Sequence, residues 1–243
     1  MPLSRTKTHR PSFHRYLKSL FFGFPGAGKT TFIGTAADDP RTSPLLILNF
    51  EGGESSLAGR DVEIADITDW KTYHSVLEEL KGTGHGFKAV AIDSITETHI
   101  FSLFEILEQE EANRKNPDLV EIGDYGIASI QLRRLIRNFR DLELHVLLTA
   151  LAKQDVEPGV GSVIKPALSG KLADELPGIV DVVGYIAEVE LEDKSSARAL
   201  ILKNYPKIRA KIRVPKEMLK DVPDEIIDPT VTLLMDALNY QEE

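Results

Sequence analysis

Nine residues constrain this chain more than any others: Gly23-Phe24-Pro25-Gly26-Ala27-Gly28-Lys29-Thr30-Thr31. Their spacing, G-x-x-x-x-G-K-[ST], is that of a loop built to wrap phosphate groups. The glycines let the backbone curl so that successive N–H groups point into one concavity, and a following helix adds the positive end of its dipole. In such a loop Lys29 reaches the β- and γ-phosphates, and the Thr30 hydroxyl reaches Mg²⁺. The loop works only between a buried strand and a helix. Leu17 to Phe22 reads as that strand and Thr30 to Ala37 as that helix, so a nucleotide-binding α/β unit is expected here.

At 243 residues the chain suits one α/β domain. It has no cysteine, which excludes disulfides and thiolate metal sites and fits a reducing compartment. No apolar run is long enough to cross a bilayer, and the first residues lack the apolar core of a signal peptide, so a cytoplasmic protein without a membrane partner is expected. The net charge of −9 argues against coating duplex DNA by charge alone. Its distribution is uneven. Residues 1–18 carry Arg5, Lys7, Arg10, Arg15 and Lys18 without an acid, and residues 198–216 carry seven lysines and arginines without one. Such segments serve either as a local anion site or as a solvated basic face.

Residues 1–15 show no apolar period and read as a flexible basic arm. Leu45 to Phe50, Asp61 to Ile67, Phe87 to Ile92 and Leu144 to Thr149 have the length and apolarity of strands. Helical spacing recurs at Trp70 to Leu80, capped by Thr68 or Asp69, at Glu97 to Asn113, and at Tyr125 to Arg140. In the last of these Ile127, Ile130, Leu135 and Ile136 are expected inward, and Arg133, Arg134 and Arg137 outward. Arg114 to Gly123 and Lys153 to Gly170 read as loops, the second long for a compact domain. Val180 to Glu190, Arg198 to Lys203 and Lys207 to Val214 read as late strands, and Thr230 to Asn239 as a terminal helix. Alternating strands and helices over the first 150 residues imply a mostly parallel sheet with helices on both faces.

A phosphate-binding loop also needs a carboxylate near its Mg²⁺, at the end of a neighbouring buried strand. Asp93, after Val90-Ala91-Ile92, fits. Hydrolysis needs a group to orient and deprotonate water, and Glu51, at a strand end and before Gly52-Gly53, is the candidate, with Glu54 as the rival.

Taken in order, these elements resemble the RecA-like recombinase core, over about residues 16–214. The resemblance rests on the phosphate loop, on Ile47-Leu48-Asn49-Phe50-Glu51-Gly52, where that family carries its catalytic glutamate, and on Ala91-Ile92-Asp93-Ser94, where it carries the Mg²⁺-associated aspartate. It implies a RecA-like P-loop NTPase fold, with a central, mostly parallel sheet flanked by helices and late antiparallel strands. Residues 215–243 would be a C-terminal extension with a short helix. Glu121 to Gly126, before a basic helix, resembles the first DNA-binding loop of RecA, and Lys153 to Gly170 falls where the second lies. The implied DNA contacts are Arg114, Lys115, Lys153, Lys165 and Lys171. The second loop has no aromatic residue to stack on bases, so these cations suit backbone contacts without strong sequence preference. One departure stands out: where RecA has a γ-phosphate-sensing glutamine, this chain reads Leu147-Leu148-Thr149-Ala150, which leaves the role to Thr149 or to the more distant Gln154. Lys211-Ile212-Arg213 matches the K-x-R pair that members of the superfamily project into a neighbouring subunit's nucleotide, and a solvated basic strand accounts for the same residues.

With no room for the accessory domains of full-length recombinases, the chain is similar to the short phage-encoded RecA-like ATPases of single-strand annealing. That implies an ATP- and Mg²⁺-dependent ATPase that binds single-stranded DNA. It would form a ring or filament with ATP at the subunit interface, in the host cytoplasm, with a single-strand binding protein as a further partner. The alternative is a nucleotide-dependent switch or loader acting on a replication protein. A small-metabolite kinase fits less well, because no lid-like arginine cluster follows Asp93.

Overall fold

The apolar runs become strands because both of their faces are covered. In β1 (Lys18–Gly23), Leu20 and Phe22 join one buried cluster and Phe21 the opposite one. The same alternation runs through β2 (Leu45–Asn49), β4 (Ala89–Asp93) and the first half of β5 (His145–Glu157). A sheet buried on both sides gives near-continuous hydrophobic strands. The computed structural model describes residues 16–241 apart from 115, 117, 169–171, 204 and 206. The basic arm 1–15, Lys115 and Lys171 lie outside the described residues.

β3 (Val62–Asp66) completes one edge, and β7 (Val182–Glu190), β8 (Ser196–Ile201) and β10 (Glu225–Ile227) build the other. The order is β10-β8-β7-β1-β5-β4-β2-β3, with β6 (Gly161–Pro166) on β5 and β9 (Lys211–Ile212) on β7. From β7 to β3 the neighbours run parallel; β8, β9 and β10 pair antiparallel. This is the expected mostly parallel sheet with late antiparallel strands.

Helices α2 (Trp70–Leu80), α4 (Ile122–Arg140) and α5 (Leu172–Ile179) cover one face. α3 (Ile95–Glu110) reaches that core through Ile95 and rests on α4 through Leu103, Ile106 and Ala128. The other face is covered by α1 (Lys29–Gly34) and α7 (Val231–Ala237). The segment from Val222 to Tyr240, which follows the short α6 (Lys216–Leu219), is therefore part of the same core. Arg41 ties it down, pairing with Asp39 (2.6 Å) and Asp236 (2.8 Å) and donating to the Tyr240 carbonyl (2.9 Å).

Several elements differ from expectation. β5 runs thirteen residues instead of stopping at Thr149, and with β6 turns most of the expected loop 153–170 into a hairpin. Its outer half alternates Lys153, Asp155 and Glu157 with less polar residues, so no apolar signal marks it. It is held by a diagonal ion pair between Lys165 and Asp155 (2.8 Å), by Arg209 on Glu157, and by the Ile164 amide on the Lys207 carbonyl (2.7 Å). α4 begins at Ile122, inside the stretch compared with a DNA loop, because Glu121 and Asp124 form a reciprocal cap. Its buried face also differs from the expected one. Ile127 and Ile130 face outward, 43% and 46% exposed, and Ala128, Leu132, Leu135, Ile136 and Phe139 face the core. Of the two proposed caps for α2, Asp69 makes the bond, accepting from the Thr72 amide at 2.6 Å. α5, which carries Pro177, is absent from the expected elements.

Candidate nucleotide site

β1 delivers the chain into the glycine-rich loop at the carboxyl end of the sheet, where open α/β folds bind ligands. Gly23 leaves no room for a side chain: a β-carbon there would stand 2.6 Å from the Ile186 carbonyl oxygen. Gly28 has φ +93°, a left-handed conformation that favours glycine. Lys29 follows, its side chain buried and its ammonium loosely donated to the carbonyls of Gly23 (3.3 Å) and Phe24 (3.4 Å). Burial lowers its pKa, and the carboxylates of Glu51 and Asp93 oppose that shift. A cation held so weakly by neutral carbonyls is placed to exchange them for phosphate oxygens.

β4 does not lie directly beside β1; β5 is inserted between them. Asp93 bridges the gap. The Thr30 hydroxyl donates to its Oδ2 at 2.6 Å, and the Thr149 hydroxyl, fully buried on β5, donates to its Oδ1. Thr149 thus stands at the site holding Asp93, whereas Gln154 is out on the hairpin, bonded to Ser162 (2.6 Å).

Because Asn49 of β2 is in register with Asp93, the turn after β2 emerges beside it. Asn49 fastens that turn by accepting from the Gly52 amide (2.9 Å) while donating to Asp66 (2.8 Å). Glu51 then projects over the strand ends and accepts a hydrogen bond from the Ser94 hydroxyl. The Asp93–Ser94 peptide is cis, and Ser94 also caps α3. Glu97 in the first turn of α3 has its carboxyl pKa raised, by burial first and by the Glu51 charge second. Glu54, the rival base, lines a narrow crevice with Thr30, Asn49 and Asp93.

The remaining sequence candidates lie elsewhere. Arg114 grips Asp124 with two hydrogen bonds (2.9 and 2.6 Å), both side chains only 6% exposed, and so ties the segment before α4 to the helix's own cap. Lys153 donates to the Leu168 carbonyl (2.7 Å), and Lys165 is held by Asp155, which raises its pKa. Lys211 sits low on the sheet, opposite Val183, and donates to the carbonyls of Pro177 and Val180 at the end of α5. Arg213 pairs with Asp181 (3.1 Å) and with the Gly178 carbonyl (3.0 Å). Within one chain, then, Lys29, Thr30, Glu51, Asp93 and Thr149 converge, and Lys211 and Arg213 do not join them. Arg198, on β8, was not singled out from the sequence. A methyl group added at Gly28 would stand 2.7 Å from its Nε. Its only sequence signal is membership of the acid-free run 198–216.

Among the described residues no three His, Cys, Asp or Glu side chains gather into a metal cage. A hard dication held partly by phosphates needs fewer protein ligands, and the paired oxygens of Thr30 and Asp93 fit that requirement. No helix among the described residues is long and apolar enough to cross a membrane.

The crystal structure of the RadB recombinase resembles the chain over 78% of its length and 80% of that protein's, at 16% identity and a TM-score of 0.43. No curated protein matches the sequence. A family model described as an AAA domain matches residues 15–214, which include every element of the nucleotide site, and the chain belongs to that family.

Proposed function

We propose that this chain is a RecA-like, Mg²⁺-dependent ATPase that works as an oligomer on single-stranded DNA, in phage homologous recombination or strand annealing. One observation carries the ATPase reading: the Thr30–Asp93–Thr149 contact, flanked by Lys29 and Glu51, joins four separate segments at the mouth of the phosphate loop. The loop amides and Lys29 hold the phosphates. Thr30 and Asp93 hold Mg²⁺, which when bound neutralises charge on the phosphate oxygens. Glu51, kept in place by Ser94, orients water and takes its proton. Thr149 keeps the Asp93 carboxylate turned toward Thr30.

The DNA reading rests on resemblance, and one feature favours the second reading, a switch or loader that acts on a replication protein. Arg114, Lys153 and Lys165 are engaged within the chain, so a DNA backbone would have to displace those contacts. The test is ATP hydrolysis with and without single-stranded DNA, across protein concentration. The recombination reading expects Mg²⁺-dependent hydrolysis that rises with DNA and, per molecule, with protein concentration. Hydrolysis indifferent to DNA, with no DNA binding at low salt with or without an ATP analogue, refutes it in favour of the protein-partner reading.

A further inference from the structure

The β8 side of the phosphate loop carries a cation that nothing above uses. Phe22 of β1 is level with Tyr185 of β7, so β7 runs on past the end of β1; Arg198 of β8 faces Glu188, three residues beyond that level. Arg198 therefore stands above the carboxyl edge of the sheet and leans on the loop. A β-carbon at Gly28 would meet its Nε at 2.7 Å, its Cδ at 2.9 Å and its Cζ at 3.0 Å. Its side chain divides two cavities. One, of about 620 Å³, lies between the tip of the phosphate loop, including the half-exposed Phe24, and the ends of β7 and β8. The other, of about 220 Å³, runs along Gly28, Thr31 and Thr35. Asp228 lines both, and its Oδ1 lies 3.4 Å from the Arg198 backbone N–H. Seven other arginines, among them Arg41, Arg60, Arg114 and Arg209, are paired with carboxylates, whereas the Arg198 guanidinium has no hydrogen-bond or ion-pair partner among the described residues.

We propose that Arg198 is a nucleotide-positioning residue acting within its own subunit, its guanidinium meeting the phosphate chain at the nucleoside end while the larger cavity receives the nucleoside. This rests on the nucleotide-binding reading. Glu51 and Asp93 rise from β2 and β4 on one side of β1, and Arg198 rises from β8 on the other. A triphosphate whose terminal group faces Glu51 turns its opposite end toward Arg198. The left-handed glycine at position 28 is what lets the arginine approach, since any side chain there would occupy the space its guanidinium fills. A guanidinium without an internal partner can meet phosphate without first breaking an ion pair, and it offers a planar fork suited to phosphate oxygens.

The test is calorimetric titration of the full chain with ADP and with a non-hydrolysable ATP analogue, for wild type, Arg198→Ala, Arg198→Lys and Lys29→Ala. Arg198→Ala is expected to weaken both nucleotides by a similar factor, about tenfold, and Arg198→Lys to restore part of the loss. The nucleotide-free melting temperature should not move, because the side chain is exposed and bonds nothing in the fold. Unchanged affinities overturn the proposal. So does a loss confined to the ATP analogue, which would put Arg198 at the terminal phosphate. If wild type binds neither nucleotide, or Lys29→Ala binds both normally, the nucleotide reading falls and this one with it; if those two controls behave and Arg198→Ala binds normally, this one falls alone.

Discussion

Replacing His145 with asparagine should remove a specific part of the acid sensitivity of the fold. His145 opens β5, the strand that carries Thr149 to the nucleotide site, and its Nδ1 accepts the Leu17 amide at 3.0 Å. The ring is 6% exposed, edge-on to Tyr16 and Tyr240. Burial lowers its pKa from 6.5 to about 4, helped by the Lys18 ammonium and by Arg41 and Lys88, with Asp39 opposing. The native state therefore holds the neutral imidazole, while the unfolded chain takes up a proton near pH 6.5. Stability from this group is fully present above pH 6.5 and is lost as pH falls toward 4, where the slope ends. At about 1.4 kcal/mol per pKa unit the whole effect is about 3 kcal/mol, of which ~2 kcal/mol is gone by pH 5. Asparagine keeps an acceptor near the Nδ1 position and does not titrate. Urea unfolding at pH 7.5 and pH 5 measures both proteins. The wild type should lose ~2 kcal/mol more than His145→Asn between the two conditions, or roughly 4–8 °C of melting temperature for a chain of this size. Equal losses in the two proteins, within ~0.5 kcal/mol, would show that the imidazole is not held neutral and that the burial argument is wrong.

Glu51→Gln should keep nucleotide affinity within a few-fold and slow hydrolysis by roughly 10²–10⁴, whereas Lys29→Ala should lose nucleotide binding itself; if Glu51→Gln turns over normally and Glu54→Gln does not, the base is Glu54. Arg114→Ala should lower the melting temperature by several degrees, because it leaves the Asp124 carboxylate buried beside the α4 cap without its cation, while Arg134→Ala, on the outer face of α4, should not. Unchanged melting together with weakened DNA binding would return Arg114 to the role expected from the sequence.

What could be read from the sequence depended on how local the governing contact is. The phosphate loop, Asp93 and Glu51 are each marked by a few adjacent residues: glycines at fixed spacing, an apolar strand ending in an acid, an acid before two glycines. Their convergence follows from strand order alone, because parallel strands place their carboxyl ends on one edge. The DNA candidates were legible only as charges. Whether a cation is available depends on a partner that sequence spacing does not reveal, such as Asp155 across the hairpin from Lys165 or Asp124 ten residues beyond Arg114. The hairpin was missed for a related reason. Its outer half has the period-2 alternation of a strand, but the alternating residues are charged, with Asp155 and Glu157 paired to Lys165 and Arg209, so the pattern resembles a polar loop. α4 is legible as a helix but not in its rotation: the buried stripe is Ala128, Leu132, Leu135, Ile136 and Phe139, and the larger Ile127 and Ile130, which apolarity alone would place inside, lie off it. Arg198 was the least legible of all. It reaches the loop only when β8 folds back on β7, and β7 aligns with β1, so that a side chain 170 positions along the chain comes to rest against Gly28.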